Sequence, residues 1–280
     1  MTQAMQRTWF ITGASSGLGR AMTEQLLERG DRVAATLRSP ERLDELKNRY
    51  GDKLWVAGID VTDTAAIRAT VGRAFAELGR IDVVVSNAGY GLFGAGEELT
   101  DEQIHHQLET NLIGSIQLIR AVLPHLREQE GGLIIQVSSE GGQIAYPNFS
   151  LYHASKWGIE GFIESVAQEV APFGIAITLA EPGPTATNFA AGLVSPAPMA
   201  VYDETPAGDV RRAVANGTFG VLSDGDKVAR AMIDSADLVP APKRQVYGSE
   251  AWQRVGDAYR ERLAALESQR TVAASTDADA

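Results

Sequence analysis

The sequence predicts one α/β domain of the doubly wound kind: a mostly parallel, seven-stranded sheet with helices on both faces. Three observations carry this. Short β-branched runs alternate with helical stretches along most of the 280 residues, the signature of successive strand–helix–strand units. The strand runs are continuously apolar, as expected for parallel strands buried on both faces. No fixed-period repeat or break in composition marks a second domain.

Thr8 to Thr12 reads as a buried strand, followed by the loop Gly13-Ala14-Ser15-Ser16-Gly17-Leu18-Gly19 and a helix to about Arg29. Gly30 closes that helix as a C-cap. Val33 to Leu37 is a second strand, and Ser39-Pro40 starts the next helix with proline in its first turn. Leu54 to Ile59 is a third strand, Asp63 to Leu78 a helix ended by Gly79, and Ile81 to Val85 a fourth strand. Thr100 and Gln103 form a capping box that opens a long helix toward Glu128. Leu133 to Val137 is a fifth strand, Ser150 to Ala171 a helix and Ile175 to Ala180 a sixth strand. Ser223 to Ser235, Val246-Tyr247 and Ser249 to Leu266 read as helix, strand and helix.

Residues 1–267 are therefore expected to form one catalytic domain. Within it, Pro182 to Leu222 is long and rich in Pro, Ala and Gly, which reads as a substrate-binding loop or lid. Residues 268–280 are small and polar and read as a disordered tail.

Composition narrows the function classes. The chain has no cysteine, which excludes disulfides, thiolate nucleophiles and Cys-based zinc sites. Its four histidines show no metal-ligating spacing, so no metal is expected. A formal net charge of −11 disfavours nucleic acid, whose phosphates need clustered Lys and Arg. No apolar run approaches the roughly 20 residues that span a bilayer, and the N-terminus has no signal-peptide core. A cytoplasmic protein with no membrane partner is the expectation.

Two patterns carry chemistry. Tyr152 and Lys156 are four residues apart and project from one helix face. Free tyrosine titrates near about 10, and a neighbouring cation favours its phenolate. Ser139 follows the fifth strand, at the carboxyl end where open α/β sheets bind ligands. Taken alone, the pair reads more readily as a packed phenol and a solvated ammonium. The rest of the chain shifts that reading by supplying a cofactor site. Gly13, Gly17 and Gly19 lie between the first strand and first helix, allowing close backbone approach to a pyrophosphate at the helix N-terminus.

Thr12 to Gly19 (TGASSGLG), Asn87-Ala88-Gly89, Asn111, Ser139, Tyr152-His153-Ala154-Ser155-Lys156 and Pro182-Gly183 with Thr187 resemble the classical short-chain dehydrogenase/reductase family. The resemblance covers roughly residues 7 to 190. The stretches around Ala35 to Arg38 and Ala167 to Pro184 also resemble the branch of steroid 17β-dehydrogenase and retinol-dehydrogenase-like enzymes. The family implies a Rossmann fold and a catalytic tetrad of Asn111, Ser139, Tyr152 and Lys156. Tyr152 is then the general acid or base, with its pKa lowered by Lys156, which also holds the nicotinamide ribose. Ser139 stabilises the substrate oxygen, and Asn111 anchors a relay water. Gly13, Ser15, Ser16, Gly17, Leu18 and Gly19 form the implied cofactor loop. Asn87, Ala88 and Gly89 line the adenine ribose. Asp60 and Val61 meet the adenine, although Asp60 also reads as a turn residue. Pro182, Gly183 and Thr187 flank the nicotinamide amide.

At the end of the second strand, Arg38 stands where an NAD site wants a carboxylate. A guanidinium suits a 2′-phosphate, so NADP is expected in preference to NAD; the alternative is a solvated Arg38. Tyr90, Phe93, Tyr146, Phe149, Phe189, Leu193, Met199 and Phe219 together point to an apolar carbonyl or secondary alcohol, hence chemistry at a CH–OH group, while each alone reads more readily as core or lid packing. Glu140, directly after Ser139, reads as a substrate selector or a loop cap. The family's pairing through its long helices implies a homodimer or homotetramer, with the C-terminal helix able to block one interface. The competing functional reading is a non-catalytic, cofactor-sensing scaffold on the same fold.

Overall fold

The computed structural model describes residues 6–220 and 222–278. The first five residues of the expected domain, position 221 of the expected lid and the last two residues of the expected tail lie outside the described residues.

The elements run β1 (Thr8–Thr12), α1 (Gly17–Arg29), β2 (Arg32–Leu37), α2 (Asp44–Tyr50), β3 (Leu54–Gly58), α3 (Thr64–Leu78) and β4 (Val83–Ser86). Then come α4 (Asp101–Leu108), α5 (Gly114–Glu128), β5 (Gly132–Val137), α6 (Ser150–Val170), β6 (Ile175–Pro182) and β7 (Thr185–Ala186). The chain ends with α7 (Pro206–Ala215), β8 (Ser223–Asp224), α8 (Gly225–Ser235), β9 (Arg244–Tyr247), α9 (Ser249–Glu267) and α10 (Arg270–Ala274).

Seven strands form one sheet in the order β3-β2-β1-β4-β5-β6-β9. Every pairing is parallel, so the ends of β1, β4, β5 and β6 gather on one edge. The strand order reverses between β1 and β4, the switch point at which such sheets bind ligands. The side chains of β1 divide between the faces, with Trp9 and Ile11 in one core cluster and Phe10 in the other, as the strand period of two requires. Met22 and Leu26 of α1 and Met232 of α8 close the first cluster. Ile67 of α3, Leu118 of α5 and Ile159 of α6 close the second. No helix among the described residues is long and apolar enough to cross a membrane.

Four local differences from the sequence expectations have physical reasons. The helix expected at Ser39-Pro40 begins as a 3-10 turn, Pro40–Leu43, before α2, a tighter first turn that is frequent at helix N-termini. The Thr100–Gln103 capping box forms, but the long helix it opens passes through a π-helical turn, Glu109–Ile113, that contains Asn111. The expected loop 182–222 holds a helix, α7, with Pro206 in its first turn and Thr205 Oγ1 accepting from Ala207 N at 3.2 Å; the surrounding Pro and Ala obscured that start signal. Within the expected disordered tail, Ala-rich local propensity gives the short helix α10, which buries no residue.

Candidate active site

The switch point is stitched together by two polar side chains bonded to backbone groups. Thr12 Oγ1 accepts from Asn87 N at 3.0 Å and Ala88 N at 3.1 Å. Asn87 Nδ2 donates to Thr12 O at 2.9 Å and Gly13 O at 3.3 Å. The turn from β1 into α1 is packed against this pair: a Cβ on Gly19 would stand 2.4 Å from Gly13 O and 2.6 Å from Asn87 Nδ2. Gly13 itself has φ +70, a left-handed conformation that a side chain would strain.

No side chain caps α1 at Ser16, and its first turn has no acidic residue. The positive end of its dipole is therefore left for an external anion. An open cleft of about 610 Å³ lies beside it, between Gly17 and Arg20 on one side and Thr187, Ser223 and Gly225 on the other. These features fit a dinucleotide pyrophosphate: a close-approach backbone, an uncapped helix start and open space. Ser15, Ser16 and Gly17 are half-buried along this turn, while the Leu18 side chain packs against the core.

The end of β2 adjoins this turn, with Ala14 N donating to Thr36 O at 3.1 Å, and β3 lies beyond it at the sheet edge. Arg38 and Asp60 are both exposed. Hydrogen bonds from Thr62 N and Thr62 Oγ1, at 3.0 and 2.8 Å, lead in holding the Asp60 carboxyl below its ordinary value, with the nearby Arg38 charge adding to them. The turn role of Asp60 is thus present, and Arg38 has a carboxylate near it that sequence reasoning did not anticipate. Val61 lies close to Gly114 at the start of α5.

Ser139, Tyr152 and Lys156 converge at the end of β5. The Ser139 hydroxyl lies near enough to Tyr152 to favour its phenolate; its Oγ accepts from Gly141 N at 3.1 Å and lies 3.4 Å from Pro182 O. Lys156 Nζ sits 5.6 Å from the Tyr152 ring centroid and donates to Val137 O at 3.0 Å. The expected lowering of the phenol is not met. Burial pushes Tyr152 up to about 12, against the opposing influence of the Ser139 hydroxyl and with the Glu140 charge adding to the rise. Burial likewise takes Lys156 down to about 8. Both are consequences of desolvation, which disfavours whichever form is charged.

Asn111 is held by the backbone of Tyr90, with Oδ1 accepting from Tyr90 N at 3.1 Å and Nδ2 donating to Tyr90 O at 2.8 Å, and its Nδ2 lies 3.5 Å from Ser155 Oγ on α6. It also abuts Gly89, where an added Cβ would lie 3.1 Å from its Oδ1. Gly183 N donates to Tyr247 O at 2.9 Å, and Thr187 packs over Gly17.

An aromatic wall covers Tyr152, which is only 9% exposed. Phe93, Phe149, Tyr146 and Phe219 cluster with it, and the Phe189 ring lies 5.6 Å from its own. The segment that brings Phe189 and Phe219 is fastened by Glu98, which accepts from Met199 N at 2.7 Å and from Arg211 Nη2 at 2.8 and 3.0 Å. Sequence reasoning missed Glu98 and Arg211, as well as the pairing of Glu140 with Arg254, because residues more than a hundred positions apart leave no spacing signal. Thr12 stood within the recognised loop motif, and its threonine hydroxyl before the glycine run was the readable sign.

The sequence matches the short chain dehydrogenase family over residues 7–197. It is 37% identical over 255 residues to "Oxidoreductase BOA17" of Botryotinia fuckeliana (strain B05.10), covering 91% of this chain and 93% of that protein. It is 40% identical over 179 residues to a 3-ketodihydrosphingosine reductase of Bacteroides thetaiotaomicron, covering 64% of each. The crystal structure of a short-chain dehydrogenase from Streptomyces avermitilis superposes with a TM-score of 0.91 at 35% identity, covering 98% of this chain and 99% of that one. With this sheet order, this switch point and a matched segment longer than half its length, the chain belongs to the short-chain dehydrogenase family of oxidoreductases.

Proposed function

We propose that the protein transfers a hydride between NADP(H), preferred over NAD(H), and an apolar carbonyl or secondary alcohol. The observation that carries this reading is the buried Tyr152 beneath an aromatic wall, with Lys156 Nζ 5.6 Å from its ring centroid and Ser139 at the adjoining end of β5.

The cofactor supplies the hydride when bound. Gly13, Ser15, Ser16, Gly17, Leu18 and Gly19 hold its pyrophosphate, Asn87, Ala88 and Gly89 its adenine ribose, and Asp60 with Val61 its adenine. Arg38 takes the 2′-phosphate, and Pro182, Gly183 and Thr187 take the nicotinamide amide. In the reducing direction Tyr152 Oη donates its proton to the carbonyl oxygen. Ser139 Oγ hydrogen-bonds to that same oxygen and stabilises the charge that develops there. Lys156 holds the ribose hydroxyls and, with a water anchored at Asn111, returns a proton to Tyr152 from solvent. A phenol that burial holds protonated suits the role of acid. The ring-lined wall favours a substrate with an apolar body.

The test is the consumption of NADPH and NADH, in parallel, with a panel of ketones, aldehydes and quinones. Turnover on apolar carbonyls with NADPH is expected. Tight NADPH binding with no turnover on any carbonyl or matching alcohol would overturn the catalytic reading and leave a cofactor-sensing scaffold.

A further inference from the structure

The helix α9 lies beyond the residues that match the family, 7–197, yet its inward face meets the active-site segments at three points. Ala251 packs on Gly183, where an added Cβ would stand 2.6 Å from Ala251 Cβ. Arg254 grips Glu140, with Nη2 donating to its two oxygens at 2.8 and 3.0 Å and Nε donating to Oε2 at 3.1 Å. Tyr259 Oη donates to Gln143 Oε1 at 2.6 Å. The spacing 251, 254, 259 keeps these contacts on one side of a helix.

Glu140 opens the short turn Glu140–Gly142 and Gln143 closes it. Ser139 caps the same turn with its own Oγ. That hydroxyl, near Tyr152, is therefore fixed by a turn that α9 holds at both ends. On its other side the turn is held by α6. His153 Nδ1 donates to Gly141 O at 3.0 Å, its Nε2 accepts from Tyr146 N at 3.2 Å, and Gln143 Nε2 bonds to Glu160. Glu140 is 1% exposed. A carboxylate so deeply buried is tolerated only with a close partner. Arg254 is that partner, together with the Tyr146 hydroxyl at 3.3 Å. Tyr146 in turn stands edge-on to Phe219 at 5.1 Å between centroids, so the ion pair also steadies the aromatic wall. Arg254 is itself backed by Glu250 at 3.2 Å.

We propose that α9 is a positioning element of the active site: Arg254, acting through Glu140, and Tyr259, acting through Gln143, hold the Ser139 hydroxyl beside Tyr152. This inference rests on the reading of the Ser139 and Tyr152 hydroxyls as the reacting pair.

The test uses the full-length protein with NADPH and a carbonyl that it reduces. For Arg254→Ala, kcat is expected to fall about 30-fold or more, with the carbonyl KM and the NADPH affinity each within about twofold. Arg254→Lys should recover part of the loss. The double variant Glu140→Gln with Arg254→Met should recover more than Arg254→Ala, because a buried amide no longer needs a cation. Tyr259→Phe should cost a few-fold less than Arg254→Ala, since it removes one neutral hydrogen bond. Amide hydrogen exchange supplies a readout that needs no turnover. In Arg254→Ala, peptides covering 138–146 should exchange faster while those covering 8–19 stay protected. Unchanged kcat with unchanged exchange at 138–146 overturns the proposal. So does a loss of NADPH affinity with faster exchange throughout, which would mark general destabilisation. Should the unsubstituted protein turn over no carbonyl or alcohol, the functional reading fails on its own, and exchange at 138–146 alone decides the positioning role.

Discussion

The turn from β1 into α1 and the segment 182–222 face the same edge of the sheet but are held in different ways. The turn is pinned at its backbone: the Thr12 and Asn87 side chains bond to backbone groups across β1 and β4, and the close approach of Gly19 to Gly13 O leaves no room for a side chain. The 182–222 segment is tied by two backbone bonds between Val194 and residues 91 and 93 and by a short β-pairing with Ser223. Beyond these it is tied by long side chains, chiefly the Glu98 carboxylate on Arg211 and Met199 N and the Phe189 ring on Tyr152. Bonds to the backbone of adjoining strands hold the first wall, and long side chains reaching across the fold hold much of the second, so a single substitution should loosen the second more readily.

The largest expected effect falls where both walls meet, at the hydroxyl they enclose. Tyr152→Phe should lower kcat by about a thousandfold, within the range of a lost general acid–base group, and leave NADPH affinity within about twofold. Steady-state rates and fluorescence titration check this. The same group sets a pH dependence. Tyr152 is pushed up to about 12, so its protonated form, needed for reduction, is fully present at neutral pH. Its phenolate, needed for oxidation, grows about tenfold per pH unit below that value. Carbonyl reduction should therefore be flat across neutrality, while alcohol oxidation climbs toward alkaline pH.

Gly19→Ala strikes the backbone-held wall. Its Cβ would stand 2.4 Å from Gly13 O, and the turn must shift. Overpacking of this kind costs about 1–3 kcal/mol, or about 5- to 150-fold in NADPH affinity if the displaced turn is what binds it. An affinity within twofold of the parent would show that the turn is more pliable than its hydrogen bonds imply.

These two walls also differ in how far the sequence disclosed them. Gly13, Gly17 and Gly19 were legible because each answers a local demand for a tight turn or a close approach, and Tyr152 because its spacing to Lys156 marks a helix face; Asn87 was singled out only by the family resemblance. The sheet was legible for the same reason, since Thr8 to Thr12 and Leu133 to Val137 are apolar on both faces. Glu98 and Arg211 were not, because their partnership exists only once the chain has folded over 113 positions. The pKa of Tyr152 was misjudged on similar grounds. Spacing places Lys156 beside it, but tertiary burial under Phe149 and Phe189 decides the direction.

Glu98→Gln tests the wall formed by 182–222. Burial pushes the Glu98 carboxyl up, but bonds from Met199 N, Ala95 N and Arg211 outweigh this and hold it below the ordinary glutamate value. A depressed folded-state value means that the stabilisation is present above the unfolded value and is lost as pH falls through the folded one. The fastening should therefore hold at neutral pH and fail only in acid. Hydrogen bonds to charged groups contribute about 1.5–3 kcal/mol each, so the variant should raise the carbonyl KM about tenfold and speed proteolysis within 182–222, with NADPH affinity unchanged. An equal loss of NADPH affinity would mean that the two walls are not independent.

The smallest effect is expected at the outer end of the cofactor wall. Arg38 is exposed, so water and salt screen its charge, and Asp60 lies close enough for Arg38 to lower its carboxyl. A 2′-phosphate would gain from the guanidinium and lose from the carboxylate. Arg38→Ala should therefore weaken NADPH by about tenfold, the scale of one charge-assisted hydrogen bond, and leave NADH within about twofold. Asp60→Asn should weaken NADH by a few-fold through the lost adenine contact and NADPH by less, because the carboxylate also repels the phosphate. If Asp60→Asn weakens NADPH and NADH alike, its charge does not reach the 2′-phosphate and the residue serves only the adenine and its own Thr62 turn. If Arg38→Ala costs both cofactors equally, the guanidinium does not discriminate between them and the preference for NADP falls.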